Sequence, residues 1–184
     1  MKRFTEAGRK AIEEDNLYSA LSLALMIPDI CGSLEDPGPG KSKQRYIAWY
    51  TRWALPKFSA KMGPAQTLVV VFISADDCYQ LRCSLIHSGT AEITPNTQSA
   101  LDRFVFCDKS VGSHLNRFDG AIINGVRQSF LQLKADKFSE TMFSAADEWD
   151  ASVAGDGKIQ AEKAKLLIIQ SKGFTIGGNA IKFG

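Results

Sequence analysis

Apolar residues recur at helical spacing from the start of the chain, at Phe4, Ala7, Ala11 and Ile12, and predict an amphipathic first helix. After Asp15 and Asn16 the run from Leu17 to Leu34 is apolar nearly all round, the pattern of a helix at the centre of a bundle. Within it Asp15, Ser19, Ser22, Met26 and Asp29 are spaced 4, 3, 4 and 3 apart and share one stripe, whose polar members need partners or water. Pro28 lacks a backbone donor and should kink or strain the last turns. The run is expected to be too short and too interrupted for a membrane span. Alternating Pro and Gly across 35–42 predict a loop. A helical aromatic stripe follows, Tyr46, Trp49, Tyr50 and Trp53, which reads as core packing; Arg45 and Arg52 on its flank keep base stacking as the alternative.

The β-branched run Leu68–Ile73 is either a short buried strand or an extended lead-in. Ser74 with Asp77 three residues later forms a capping box, and Gly89 supplies a stop, so a helix is predicted over Ala75–Ser88. Arg103–Cys107 and Val126–Leu133 read as strands of a small β-hairpin insert at about 103–134, the polar stretch between them holding Gly112, Asp119 and Gly120. Helical spacing returns over Phe138, Met142, Ala145 or Ala146, Trp149 and Val153, and again from Ile159 to Lys172, with Gly173 as stop. The glycine-rich tail, 174–184, is expected to be extended or disordered. The expected fold is mainly α, a single helical domain over 1–184 with a small β-hairpin insert.

Composition narrows the partners. The 184 residues are 45% hydrophobic, enough for a core without staples, and 22 basic against 20 acidic residues leave a net charge of +2. No global attraction to nucleic acid or an anionic membrane follows, so any such partner needs a local patch. No apolar signal core opens the chain, and the expectation is a cytoplasmic protein with no membrane partner. Four cysteines without a Cys-x-x-Cys pair read as reduced thiols, and only two histidines, His87 and His114, are available for proton transfer near neutral pH.

Several apparent motifs fail on spacing. Gly40-Lys41-Ser42 imitates a phosphate loop, but Glu35 stands where a glycine is required. Cys78, Cys83 and His87 do not share one helical face and lack a fourth ligand for zinc. Asp147, Glu148 and Asp150 form a solvated acidic run, and no Gly-x-Ser-x-Gly elbow occurs. No metal and no cofactor are expected.

The segment left is Arg82-Cys83-Ser84-Leu85-Ile86-His87. Arg82 falls within an apolar arc of its helix, where an always-charged guanidinium is costly unless paired or facing a site. Two readings stay open: an ion pair with Asp29 or Asp15, or a phosphate clamp that offsets negative charge on phosphorus. His87, five residues on, lies about 140° round an ideal helix. One rigid helix would therefore not aim both side chains at one atom, so distortion of the last turn or a two-fold dimer has to bring them together. His87 is read either as a proton carrier or as a cap on helix carbonyls.

This Arg-x4-His spacing near a helix end, with Leu81-Arg82-Cys83 and His87 following Asp77-Cys78-Tyr79, resembles the signature of HEPN domains, closest to bacterial members with a Leu-Arg-Cys-x-x-x-His core. The resemblance implies a HEPN-like helical bundle, a homodimer with a composite cleft, and metal-independent endoribonuclease activity by Arg82 and His87, in toxin, anti-phage or RNA-processing roles. Asp77, Ser84 and Asp29 are candidate supporting residues, and RNA and a neutralising partner protein are the expected partners. The alternatives are a non-catalytic HEPN-like module binding RNA, nucleotide or protein, which Cys83 after the arginine favours, and a structural dimeric domain.

Overall fold

A computed structural model describes residues 1–93, 101–170, 173–176 and 179–181. Three helices come first: α1 (Lys2–Glu13), α2 (Leu17–Glu35) and α3 (Ser42–Trp53). A short 3-10 turn, Leu55–Phe58, leads into an antiparallel hairpin of β1 (Ser59–Met62) and β2 (Leu68–Val71). Helix α4 (Ala75–Ser88) is followed by β3 (Arg103–Cys107), β4 (Asn116–Ile123) and β5 (Val126–Lys134). Helices α5 (Ala135–Ser152) and α6 (Gly157–Lys163) and a terminal hairpin of β6 (Phe174–Ile176) and β7 (Asn179–Ile181) complete the chain.

The expectation of a mainly α, HEPN-like bundle with a small hairpin insert is corrected by this architecture. The molecule is mixed α/β, with 51% of residues in helix and 21% in strand, the strands forming three sheets among the described residues. The largest sheet has the order β3-β5-β4, β3 running parallel to β5 and β4 antiparallel to it. One feature hid its third strand. Strand β4 carries a register shift between Phe118 and Ala121, which breaks the alternation that marks a strand. The sheet buries only one face, seating Phe104, Leu131 and Leu133 in the core. The β4–β5 turn is Asn124-Gly125, both with positive φ (51° and 77°), the geometry of a tight hairpin.

The core centres on α2, against which α1, α3 and α5 pack. At 19 residues α2 is long and apolar enough to cross a bilayer, contrary to the expectation from sequence, but half of that stretch is buried within the protein. Its polar stripe faces outward: Ser19 and Met26 are exposed, Ser22 and Asp29 half-buried. Asp15 precedes the helix in a left-handed conformation (φ 60°) and pairs with Lys109 rather than with Arg82. Helix continues through Pro28 to Glu35. Tyr46, Trp49 and Tyr50 are core residues, as their spacing predicts. Arg45 donates to the carbonyls of Asp36 and Gly38, and Arg52 approaches Glu35 at 3.8 Å.

Two further expectations change. Strand β2 is not buried, since Leu68, Val69 and Val71 are exposed on a two-stranded hairpin. The last helix is α6, capped by Asp156 and ending at Lys163, so the expected helix to Lys172 stops early; Ser171 and Lys172 lie outside the described residues. Leu167, Ile168 and Ile169 are exposed beyond it, where no apolar face holds a helix together.

Candidate functional site

Helix α4 forms where the capping pattern places it. The Ser74 hydroxyl accepts from the backbone N–H of Asp77 at 3.0 Å and donates to the Asp77 carboxylate at 2.6 Å, while Gly89 closes the helix in the left-handed region (φ 66°). Asp77 is 1% exposed, so the structure makes it a capping residue rather than one that meets a substrate. The inward face also carries Cys78, whose sulfur lies 3.3 Å from the Tyr46 hydroxyl. Burial pushes the Cys78 thiol up to about 12, against the opposing hydrogen bonds of Tyr46 and Tyr50. Cys78 therefore faces away from Cys83, which is half-buried, and from His87, which is exposed.

Arg82 lies at the edge of that inward face. Its Nε donates to Asp29 Oδ2 at 2.7 Å, bridging α4 to the outward stripe of α2. Both side chains are 21% exposed, so the pair is neither a core ion pair nor a freely solvated one. Burial opposes the guanidinium charge, but the attraction and hydrogen bond of Asp29, with a contribution from Cys83, outweigh it and raise the Arg82 pKa. The second Asp29 oxygen accepts from the Ser42 hydroxyl at 3.4 Å, at the start of α3. Three helices thus meet at one carboxylate.

Arg82 Nη1 also stands 3.4 Å from His87 Nε2. The guanidinium is long enough to sweep along the helix surface, and the contact forms within one chain without any distortion of the helix end. Since a guanidinium has donors only, this is a hydrogen bond when Nε2 is unprotonated and Nδ1 carries the proton. While that bond stands the one imidazole lone pair is occupied; when the guanidinium turns from Nε2 to an oxyanion, the exposed Nε2 is freed to accept a proton from a hydroxyl.

The other supporting candidate, Ser84, points elsewhere: its hydroxyl donates to the carbonyl of Glu92 at 2.5 Å and ties the segment after α4 back to the helix. Ser42 and Glu92 were not legible as neighbours of the site, because both reach it only through tertiary packing. Tyr79 is a third addition, edge-on to Tyr46 with ring centres 5.3 Å apart and with Lys43 Nζ 5.8 Å from its own. Its hydroxyl pKa is raised by burial, then by Cys83. No group of three or more His, Cys, Asp or Glu side chains able to hold a metal ion occurs among the described residues.

The chain matches no protein-family model, no curated protein and no solved structure.

Proposed function

We propose that the chain is a metal-independent endoribonuclease whose working pair is Arg82 and His87. The observation that carries this reading is the 3.4 Å contact between Arg82 Nη1 and exposed His87 Nε2, with Arg82 anchored through Nε on Asp29. In the reaction, Arg82 Nη1 leaves His87 Nε2 for the phosphate oxygens, and the freed Nε2 takes the proton from a ribose 2′-hydroxyl as that oxygen attacks the adjacent phosphorus. Arg82 offsets the charge on the phosphorane oxygens, and the 5′-oxygen leaves with a proton taken from solvent water, giving a 2′,3′-cyclic phosphate, after which the His87 imidazolium returns its proton to water. Asp29 acts by positioning Arg82. The chain works as a homodimer: exposed Met26, one turn from Asp29, and exposed Ile86, beside His87, supply an apolar rim for a second copy. Because Arg82 and His87 already meet within one chain, the second copy walls the cleft rather than assembling the pair.

One observation favours a second reading. Asp29 neutralises Arg82 one to one, which suits a structural tie in a binding or scaffold module and weakens the pull on a phosphate. The test is incubation of purified protein with mixed single-stranded RNA in EDTA, alongside Arg82→Ala, His87→Ala and the double variant. Cleavage to cyclic-phosphate ends, reduced about 100-fold or more by either substitution and little further by both, supports the enzyme. Absence of cleavage by the unaltered protein, with a large loss of stability in Arg82→Ala, replaces it with the structural reading.

A further inference from the structure

The β3-β5-β4 sheet buries one face; on the other, the β3–β4 connection ties to Gln132 and Lys134 through Ser113 and Lys109, while the Phe118–Phe130 end lies open. Along β5, Leu131 and Leu133 are buried while Phe130, Gln132 and Lys134 between them are half-buried. Paired residues share a face, so the open side carries two cross-strand rows: Arg103, Phe130 and Phe118, then Val105, Gln132 and Asn116. Phe130 and Phe118 stack at 4.6 Å with planes 17° apart, and Phe118 remains 42% exposed. Cross-strand stacking accounts for the pairing of the rings. It does not account for leaving the outer ring in water.

The charge on this sheet is divided between its faces. Of the cations on its three strands, Arg103 and Lys134 fall on the open side, whereas Arg117, paired with Leu131, and Arg127, alternating with it, fall on the other, where Arg117 pairs with Asp119 at 2.9 Å. Arg103, Arg127 and Lys134 have no carboxylate partner among the described residues; Lys134 Nζ donates to the Lys109 carbonyl at 2.7 Å, and Arg103 Nε has no acceptor. The open side thus offers two cations, Arg103 and Lys134, with Glu92 bridged to Arg103 at the end of the same row. The sheet is also tied to α4, the helix that carries Arg82 and His87, through Ser84. Ser84 on α4 is bonded to the Glu92 carbonyl, and Glu92 is bridged to Arg103 at the head of the aromatic row. From Glu92 across Arg103 and Phe130 to Phe118 is about 14 Å at ordinary strand spacing.

We propose that the open face of this sheet is a platform for single-stranded RNA, on which a base stacks on the Phe118–Phe130 pair while Arg103 and Lys134 hold flanking phosphates. The choice of RNA rests on the reading of Arg82 and His87 given above; the platform would deliver the strand to them. Unpaired bases are required, because a base inside a duplex cannot reach a ring on a sheet. Asn116 adds an amide group for base edges, while the Gln132 amide donates to the Ser113 hydroxyl at 3.2 Å.

The test measures binding of a labelled 2′-O-methyl RNA of about ten nucleotides, within the usual site size, which lacks the attacking hydroxyl and is not consumed. The unaltered protein is expected to bind the single strand in preference to the duplex. Phe118→Ala should weaken binding about tenfold or more and Phe118→Trp should retain it, while Arg103→Gln should weaken it and lower the salt slope by about one. Cleavage of a dinucleotide, too short to span from the Arg82–His87 pair to Phe118, should survive Phe118→Ala. Equal binding by all variants, a preference for duplex, or a change in Phe118→Ala confined to self-association overturns the platform. Should Phe118→Ala prove unfolded by circular dichroism, the Phe118→Trp and Arg103→Gln measurements decide. Platform binding without cleavage of any RNA sinks the ribonuclease alone, and dinucleotide cleavage with no effect of these substitutions on binding sinks the platform alone.

Discussion

Arg82 Nη1 and His87 Nε2 stand 3.4 Å apart on one helix, although five residues place them about 140° round its axis. The resolution is in the lengths of the side chains and in Asp29. With Nε held by a carboxylate from a neighbouring helix, the guanidinium is laid along the surface of α4 instead of out from it, and its far end arrives at the imidazole. The site is therefore a property of two packed helices, and its parts respond differently to substitution.

Removing Asp29 is expected to loosen Arg82 without unfolding the protein. Because the pair is 21% exposed on each side, the coupling between Asp29→Ala and Arg82→Ala in a double-mutant cycle should be about 1 kcal/mol, well below the roughly 3 to 5 kcal/mol of breaking a fully buried pair. Chemical denaturation of the four proteins measures it. A value near the upper range would mean that Arg82 is a structural tie.

His114 is expected to make stability fall in mild acid. Its half-burial, with Lys134 and Lys137 nearby, lowers its pKa against the opposing effect of Asp136. The neutral ring accepts from the Lys134 backbone N–H at 3.0 Å through Nδ1, a bond that protonation removes. With the folded pKa below the unfolded value of about 6.5, the contribution is present above that pH and is lost as pH falls through the folded value. His114→Asn, whose amide oxygen can accept the same bond, should show a flatter melting temperature between about pH 7 and 5 than the unaltered protein. Parallel pH profiles for the two would contradict this.

Gly8 marks the tightest approach of α1 to α5. A Cβ placed there would sit 2.1 Å from Phe143 Cζ, so Gly8→Ala should cost about 1 to 3 kcal/mol, although alanine in an unconstrained helix position would gain about 1 kcal/mol. Thermal melts of Gly8→Ala and of Gly8→Ala with Phe143→Leu check the cause, since the smaller side chain should recover part of the loss.

Thiol reactivity should divide the cysteines two and two. Cys83 and Cys107 are half-buried, whereas Cys31 and Cys78 are buried and their pKa values raised by that burial. Titration of the native protein with an aromatic disulfide reagent should label two thiols promptly and the rest only on unfolding. Prompt labelling of all four would show that the α2–α4 core opens readily.

Local chemistry decided a good deal of this protein within its sequence. Ser74, Asp77 and Gly89 set the ends of α4 because caps are made by residues a few positions apart. The apolar run of α2, the aromatic stripe of α3 and the strands at Arg103–Cys107 and from Val126 were likewise readable from their spacing. The Asn124-Gly125 turn and the strand before it went unread, β4 being obscured by the irregularity after Phe118. Only the tertiary structure decided the rest. Parallel pairing of β3 with β5 joins residues 27 positions apart, such as Arg103 and Phe130, and that pairing turned an expected hairpin into a mixed sheet. The choice between Asp15 and Asp29 as partner of Arg82 was equally beyond sequence, because both occupy the same helical stripe. The break before Leu17 turns Asp15 toward Lys109, while the crossing of α2 and α4 delivers Asp29 to the guanidinium. Periodicity assigns a residue to a face of its own element, and only the packing of elements decides what that face meets.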